Sequence, residues 1–230
     1  MRINKYIAKS GIASRRKSEQ FILDGDISIN DVIVTDLSYR VCDDDVVKFK
    51  GKVINLVEDK YYFMLNKPTG YVCTNEDKYA EKTIFDLIKK KVRLFSIGRL
   101  DKDSRGLILL TNDGDLYNSI IHPRNVVYKK YEVVLNKEFK REDSIHFNYG
   151  IDIGDYVTQK ALLTFTDEKR RLFIEISEGK NRQVRRMFDV LGYKVVDLNR
   201  VSIEKLELGD LPIGQYRALD EDEIKYLHTL

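Results

Sequence analysis

Short apolar runs separated by turn residues recur along the chain from Lys60 onward, and this pattern limits the possible folds most strongly. Five of these runs have the length of a β-strand: YYFML, GLILLT, KYEVVL, ALLTF and RLFIEI. Segments with helical periodicity are fewer, and most of the turns between the strands are short. Because strands outnumber helices and are joined by short turns, we predict an α+β fold with a mixed, mainly antiparallel sheet.

The beginning of the chain has a different pattern, with two short helices close together. Asn4 is predicted to cap a helix that ends at Gly11, and Ser14 is predicted to cap a second helix that stops at Gly25. Polar side chains that cap a helix accept hydrogen bonds from its first free N–H groups. The two helices are therefore expected to form one small helical unit.

A hairpin is predicted directly after these helices. Isoleucine and valine alternate with polar residues on both sides of Asn30-Asp31, although aspartate suits positive φ less well than glycine at the second turn position. We therefore predict a helix–helix–hairpin domain over residues 1–50 and a larger domain over residues 59–230.

The strongest helical pattern lies near the C-terminal third of the chain. Its apolar residues recur at i, i+3, i+4 and i+7: Val184, Met187, Phe188 and Leu191. This helix is predicted to begin at Asn181 and to end at Gly192.

The distribution of charge is more informative than the net charge, which is only +3. Basic residues form three clusters: Arg2, Lys5, Lys9, Arg15, Arg16 and Lys17; Lys89, Lys90, Lys91 and Arg93; Lys180, Arg182, Arg185 and Arg186. Acidic residues collect elsewhere, in Asp43-Asp44-Asp45 and over residues 220–223. Separate basic patches on a nearly neutral protein indicate a site for a polyanion.

Other classes of protein are disfavoured by the sequence. No stretch is long and apolar enough to cross a bilayer, and the N-terminus lacks the features of a secretory signal, so a cytoplasmic protein is expected. The two cysteines and three histidines do not occur at metal-ligand spacings, so no metal is expected.

The segment GRLDKDSRGLILLTNDG, residues 98–114, contains the carboxylates best placed for chemistry. Asp101 lies in a loop just before a buried strand, where partial burial can tune the reactivity of a carboxylate. Asp103, Asp113 and Asp115 lie close by, and spacing alone does not distinguish them. Asp113, in Asn-Asp-Gly, is adequately explained as a turn residue or helix cap.

The string MRINKYIAKSGIASRRKSEQFILDG resembles the small RNA-binding domain shared by a ribosomal small-subunit protein and several RNA-modifying enzymes. That domain usually has Asn-Gly where this chain has Asn30-Asp31. The resemblance implies that a group of basic residues faces RNA: Arg2, Lys5, Arg15, Arg16 and Lys17.

The segment around Asp101 resembles the signature of the RsuA-type ribosomal RNA pseudouridine synthases, and the resemblance implies that Asp101 is the catalytic carboxylate. Three further segments match in order: Lys67-Pro68-Thr69-Gly70, Lys130-Tyr131-Glu132 and EGKNRQVRRM. They imply that Tyr131 stacks on the target uracil and that Arg185 pairs with Asp101. Leu198 stands where an apolar contact beneath the base is expected, and the remaining basic residues of these segments are expected to bind RNA: Arg99, Lys180, Arg182 and Arg186.

The expected activity is therefore isomerisation of a uridine in ribosomal RNA by a monomer, without a cofactor. The expected partner is ribosomal RNA or a ribosome-assembly intermediate. The segment YVTQKALLTF favours a small-subunit target, whereas EGKNRQVRRM favours a large-subunit one, and the expectation leans slightly to the small subunit. Two alternatives remain open: a non-catalytic RNA-binding or ribosome-assembly protein with the same fold, and a hydrolase that uses Asp101 and Asp103 as paired carboxylates.

Overall fold

The computed structural model describes residues 1–75, 81–90, 92–122 and 124–230. Lys91, a member of the second basic cluster, lies outside the described residues. The chain forms two compact units. One consists of Met1–Lys60 with Lys90–Leu94, and the other consists of Tyr61–Lys89 with Phe95–Leu230. The predicted domain limits, 1–50 and 59–230, stay a prediction.

The smaller unit contains two helices and a four-stranded sheet. The elements are α1 (Ile3–Lys9), α2 (Arg15–Leu23), β1 (Ile27–Ile29), β2 (Val32–Ile33), β3 (Val47–Phe49) and β4 (Lys52–Val53). The strands lie in the order β2-β1-β3-β4, and each pairs antiparallel with its neighbour. Buried aliphatic side chains from both helices and from the sheet form one core: Ile3, Ile7, Ile22, Ile27, Ile29, Val41, Val47 and Ile54.

The predicted Ser14 cap and the tight turn at Asn30-Asp31 are both confirmed. The Ser14 hydroxyl accepts a hydrogen bond from the backbone N–H of Lys17 at 3.2 Å. Asn30 and Asp31 have φ values of +50° and +69°, which are the left-handed conformations that a two-residue hairpin turn requires. The strained Asp31 has a partner, because its carboxylate pairs with the Lys48 ammonium at 2.5 Å.

The prediction that Asn4 caps the first helix is wrong. Helix α1 begins at Ile3, the residue before Asn4, and Arg2 is the residue that flanks its N-terminus. Asn4 is buried inside the helix, and its side-chain amide donates to the Glu19 carboxylate of α2 at 2.7 Å. The Asn4 side chain therefore binds the second helix and does not cap the first.

The larger unit is built on a nine-stranded sheet with four helices. Its strands are β5 (Tyr62–Lys67), β6 (Phe95–Ile97), β7 (Arg105–Thr111), β8 (Lys129–Leu135), β9 (Leu162–Phe165), β10 (Arg171–Ile176), β11 (Val195–Ile203), β12 (Leu206–Glu207) and β13 (Tyr216–Ala218). Its helices are α3 (Gly114–Ile121), α4 (Ile145–Tyr149), α5 (Gln183–Val190) and α6 (Glu221–Leu227), with short 3₁₀ helices at Ile84–Leu87 and Arg141–Ser144.

The sheet confirms the predicted α+β fold. Its strands follow the order β13-β5-β7-β11-β8-β10-β9, with β6 paired to β7 and β12 paired to β11. Among the strands that the structure describes in this sheet, β7 and β11 are the pair that runs parallel. Asp113 caps α3 by accepting from the N–H groups of Asp115 and Leu116, as predicted.

Gly106 makes the parallel pairing of β7 with β11 possible. It faces Arg200 in the register and has a φ of +106°. A Cβ atom at this position would lie 2.4 Å from the carbonyl oxygen of Arg200 and 2.6 Å from its backbone nitrogen. These distances are too short for any side chain, so only glycine lets the two central strands approach this closely.

An apolar core covers one end of this sheet and includes residues of α3 and α6. Its buried members are Met64, Ile97, Leu107, Leu109, Leu116, Ile120, Val127, Ile203, Leu206, Leu208, Leu219 and Leu227. In the described ranges, we find no helix with both the length and the apolar character needed to cross a membrane.

Candidate active site

Three distant segments of the larger unit meet at one cleft that is open to solvent. Asp101 comes from the loop before β7, Tyr131 from β8 and Leu198 from β11, so the structure brings together three residues that were singled out from separate motifs. Three cations line the same cleft: Arg99, Lys180 and Arg182. The walls are completed by Leu100, Ser104, Ile176, Gly179, Gln183 and Val184.

The loop that carries Asp101 is bound by a fully buried lysine, Lys67, which lies at the end of β5. The Lys67 ammonium donates to the carbonyl oxygens of Asp101 at 3.0 Å and Ser104 at 2.7 Å. It also donates to the carbonyls of Pro68 at 3.1 Å and Lys102 at 3.5 Å. The loop closes on itself through the Ser104 N–H, which donates to the Asp101 carbonyl at 3.1 Å. One buried cation therefore fixes the backbone of this loop at Asp101 and at the residues that follow it.

Burial acts directly on the charge of Lys67. Removal from water lowers the pKa of the Lys67 ammonium, while the nearby Cys73, Asp101 and Asp103 act in the opposite direction. The carbonyl dipoles that surround the ammonium replace the water that it has lost. Sequence reasoning interpreted Lys67 only as part of a turn. A lysine that ends a largely apolar strand is the signal that identifies it.

The predicted ion pair between Arg185 and Asp101 is not formed in the described structure. The Arg185 guanidinium is buried and lies 3.4 Å from the carboxylate of Asp103 instead. It also donates to the carbonyl oxygens of Val195 and Asp103, both at 2.9 Å. Arg185 therefore anchors the loop beside Asp101 and does not line the cleft, because the turn at 101–104 presents the other aspartate to helix α5.

Asp103 is bound by a second arginine as well. Both oxygens of its carboxylate accept hydrogen bonds from Arg182, each at 2.9 Å. Burial, the largest single influence, raises the pKa of Asp103, but the hydrogen bond from Arg182 and the charges of Arg185 and Arg182 together lower it below the usual 3.8. Of the two candidate carboxylates, Asp103 is thus committed to arginine pairing, whereas Asp101 faces the cleft.

This pairing predicts a specific dependence of stability on pH. Because folding lowers the pKa of Asp103, ionised Asp103 stabilises the folded protein above pH 3.8, and that stabilisation is lost as the pH falls through the lowered value. Arg182→Gln should therefore cost about 0.5 kcal/mol near neutral pH, since both side chains are almost half exposed and screened by solvent.

Urea unfolding of both proteins between pH 2 and pH 7 (a range set about the ordinary aspartate pKa of roughly 3.9) checks this expectation. The difference in the free energy of unfolding should disappear at the acidic end. It should also disappear at all pH values in an Asp103→Asn background. A difference that persists in that background would show that Arg182 stabilises the protein through another contact.

The segment before α5 is shaped by a network of hydrogen bonds around Glu178. The Glu178 carboxylate accepts from the Tyr156 hydroxyl, from the Gln159 N–H at 2.8 Å and from the Gln183 amide at 2.6 Å. Gln183 in turn accepts from the Lys180 N–H at 2.9 Å. This network holds Arg182 in the left-handed region with a φ of +49°, so α5 begins at Gln183, two residues later than predicted.

The remaining basic residues that were predicted to bind RNA fall into two groups. In the smaller unit, Arg2 and the first-turn residues of α2, Arg15, Arg16 and Lys17, are exposed, and Lys5 is partly buried in α1. In the larger unit, Arg99 and Lys180 line the cleft, whereas Arg186 does not. Arg186 instead pairs with Asp155 and donates to the Ile153 carbonyl at 2.5 Å.

Comparison with known proteins agrees with this arrangement. The sequence model of the family described as RNA pseudouridylate synthase matches residues 61–189, and that of the S4 domain matches residues 1–47. A crystal structure of a pseudouridylate synthase superimposes with a TM-score of 0.73 at 35% identity and covers 99% of both chains.

Named relatives extend over the whole chain. The ribosomal large subunit pseudouridine synthase B of Bacillus subtilis is 36% identical, and the alignment covers all of this chain and 96% of that protein. The dual-specificity RNA pseudouridine synthase RluF of Escherichia coli K12 is 40% identical over all of this chain and 79% of its own length. The chain belongs to the RsuA-type family of RNA pseudouridine synthases. It is an RNA pseudouridine synthase, an isomerase, and it carries an N-terminal S4 domain.

The two alternatives drawn from the sequence are not supported. Because the chain belongs to a family of isomerases, the alternative of a non-catalytic RNA-binding protein is not supported. A hydrolase would need Asp103 as the acid or base partner of Asp101, but two arginines already bind the Asp103 carboxylate. A carboxylate held in this way is a poor proton donor, because its charged form is the stabilised one.

Proposed function

We propose that Asp101 is the catalytic carboxylate with which this enzyme isomerises a uridine in ribosomal RNA. The observation that carries the proposal is the convergence of Asp101, Tyr131 and Leu198 on one cleft rimmed by cations. Isomerisation breaks the bond between ribose C1′ and uracil N1, turns the base and joins C1′ to C5. A carboxylate beside C1′ assists either as a nucleophile or by removing a ribose proton.

Tyr131 and Leu198 are proposed to hold the uracil after it has left the base stack. A base inside a helix is inaccessible, so the enzyme must accept it in an extruded form. Stacking on an aromatic ring returns about 1–3 kcal/mol of the free energy lost on unstacking. Leu198, 4% exposed, offers an apolar surface to the same base. The side chains of Leu198, Ile176 and Val184 form no hydrogen bonds with a base, so this part of the cleft does not oppose rotation of the detached uracil.

The cations at the cleft and in the S4 domain are proposed to bind the RNA backbone. Arg99, Lys180 and Arg182 line the cleft and would contact phosphates next to the target nucleotide. The exposed Arg15, Arg16 and Lys17 lie in the first turn of α2 and would contact phosphates farther away. Phosphate contacts of this kind set the position of the RNA, while the cleft selects the base.

For the target, we propose a uridine of large-subunit ribosomal RNA. The slight lean towards the small subunit came from one segment, YVTQKALLTF, whereas relatives at 36% and 40% identity are a large-subunit enzyme and a dual-specificity RNA enzyme. We further propose that the enzyme acts as a monomer, since a single chain already supplies the carboxylate, the tyrosine and the leucine that the proposed reaction uses. We propose the cytoplasm as its compartment. No cofactor is proposed, because isomerisation neither oxidises the substrate nor transfers a group to another molecule.

The experiment that tests this proposal uses ribosomal RNA labelled with tritium at uridine C5. Formation of the new carbon–carbon bond expels that hydrogen, so release of tritium to water reports isomerisation. We expect release from large-subunit RNA and one modified position when pseudouridines are mapped. Release from small-subunit RNA alone would contradict the proposed target, and no release from either RNA would contradict the proposed activity.

The S4 domain gives a further prediction about salt dependence. Removal of two phosphate contacts by the double substitution Arg15→Gln and Arg16→Gln should weaken RNA binding. It should also reduce the slope of log K against log salt concentration by about 1.4–1.8, since each contact contributes about 0.7–0.9. Binding measured by fluorescence anisotropy across a salt series gives both values.

The matched control removes the same net charge from the larger unit, by Lys205→Gln and Lys225→Gln. These lysines are exposed, and Lys225 lies beside the acidic residues Glu221 and Asp222. The control pair should leave the slope unchanged. Equal losses of slope in both double variants would mean that net charge, and not the face of α2, determines RNA binding.

A further inference from the structure

Arg200 is a buried arginine that the proposed chemistry does not use. Its side chain is 3% exposed, and it lies on β11 directly opposite Tyr131 of β8. The Arg200 Nε donates to the Leu107 carbonyl at 2.7 Å, and Nη1 lies 3.5 Å from the Tyr131 hydroxyl oxygen. Nη2 is buried and has no hydrogen-bond partner among the residues that the structure describes.

A charge in this position is costly for the folded protein. Arginine keeps its proton under all ordinary conditions, so Arg200 cannot reduce the cost by becoming neutral. Within the described ranges, no carboxylate forms an ion pair with it. The charge of Arg200 also acts on a neighbouring lysine. Burial of Lys129 and, as the second cause, repulsion by the Arg200 guanidinium lower the pKa of Lys129 to about 8. The guanidinium instead contacts Tyr131, because Cζ lies 6.0 Å from the centroid of its ring and Nη1 lies 3.5 Å from its hydroxyl oxygen. The buried cation is thus tied to a residue that lines the cleft.

The position of Arg200 is also tightly fixed. The missing side chain of Gly106 lets β7 contact the Arg200 backbone, and the hydrogen bond to Leu107 attaches the guanidinium to the same strand. Arg200 is therefore attached to β7 and contacts Tyr131 on β8, the strands on either side of β11. It does not line the cleft, whereas Tyr131 does, so the guanidinium lies behind the tyrosine as seen from the substrate.

The chemistry of the two groups then determines the direction of the hydrogen bond. A guanidinium has donors only, so the phenol oxygen of Tyr131 must accept from it. The guanidinium also lies over the face of the Tyr131 ring, so the tyrosine is held both at its hydroxyl and at its ring.

We propose that Arg200 is a positioning residue, which holds the Tyr131 ring in the orientation in which it stacks on the uracil. This inference rests on the proposed function, in which Tyr131 contacts the base. Arg200 itself touches no substrate and acts through Tyr131, by the hydrogen bond to the hydroxyl oxygen and the contact with the ring. The class of ligand is an extruded pyrimidine, which stacks on the ring that Arg200 holds.

The test combines a measurement on the free protein with a measurement of rate. Tyrosine labelled with ¹³C at the carbon that bears the hydroxyl reports hydrogen bonding at each of the 14 tyrosines by NMR. The Tyr131 resonance is the one that disappears in Tyr131→Phe. Arg200→Met removes the donor with a side chain of similar length, and Arg200→Lys retains a charge with a different geometry. Arg217→Met is the control. Arg217 lies on β13, pairs with Glu223 of α6 and does not line the cleft.

We expect the Tyr131 resonance to move in Arg200→Met, to move less in Arg200→Lys and to remain unchanged in Arg217→Met. The single-turnover rate on labelled RNA should fall by about a hundredfold in Arg200→Met, with partial recovery in Arg200→Lys, while RNA affinity stays the same. The NMR measurement needs no RNA, so it remains decisive even if the proposed activity fails.

Two outcomes would overturn the inference. An unmoved Tyr131 resonance in both Arg200 variants would show that no hydrogen bond orients the phenol. A shifted resonance with an unchanged rate would show that the bond exists but does not serve the reaction. If Arg200→Met does not fold, the resonance and rate of Arg200→Lys decide between these results.

Discussion

Asp101→Asn is expected to lower the release of tritium from uridine C5 by on the order of a thousandfold or more. Asparagine has nearly the same shape as aspartate but carries no charge, so it can neither attack C1′ nor accept a proton. Thermal unfolding and RNA affinity should stay close to those of the wild type, because the Asp101 side chain faces an open cleft. Single-turnover assays, anisotropy and calorimetry measure the three quantities.

Asp103→Asn is the matched control, two residues away in the same loop. Asp103 binds Arg182 and Arg185, so its substitution should disturb the position of the loop and lower the rate by about tenfold, well short of abolishing it. The assignment of Asp101 fails if Asp101→Asn keeps full activity. It also fails if the Asp103 variant is the inactive one of the pair.

Lys67→Met should reduce both stability and activity. The substitution leaves the carbonyl oxygens of Asp101 and Ser104 buried without their charged donor. The loss of a buried, charge-assisted contact of this kind costs about 3 kcal/mol, which for a chain of this size lowers Tm by about 6–12 °C. The rate should fall by about a hundredfold, because Asp101 is no longer held in place.

Calorimetry and single-turnover kinetics test this expectation, with Lys82→Met as the control for removing a lysine from the same unit. Lys82 is exposed, so neither Tm nor rate should change in the control. Measurements below the Tm of the variant separate the two effects, since the protein is then folded. A folded Lys67→Met enzyme with the wild-type rate would show that the loop keeps its geometry without the lysine.

Much of the fold could be predicted because its determinants are local. Ser14 caps α2 by a hydrogen bond within one helical turn, and Asn30-Asp31 forms its turn through the conformations of two adjacent residues. The strands were recognisable from runs of apolar residues, and the mainly antiparallel sheet from their short connections. Errors arose where a distant partner intervened, as when Glu19 of α2 took the side chain of Asn4.

The site was only partly predictable for the same reason. Motif resemblance identified Asp101, Tyr131 and Leu198, and these residues meet in one cleft. It did not identify the partner of Arg185, because Asp101 and Asp103 are close in sequence and a single turn of backbone decides which of them faces α5. Lys67 and Arg200 also escaped notice as buried cations, since their burial depends on strands from other parts of the chain.

The sequence by itself determined the fold class, the order of elements and the family, and it predicted candidate residues for the site. The tertiary structure decided which charges pair, which side chains are buried and which carboxylate remains available to a substrate. The physical reason is the range of the forces involved. Hydrophobic periodicity, capping and turn formation act between residues a few positions apart, whereas Arg185 and Asp103 are 82 positions apart and meet only after the sheet has formed.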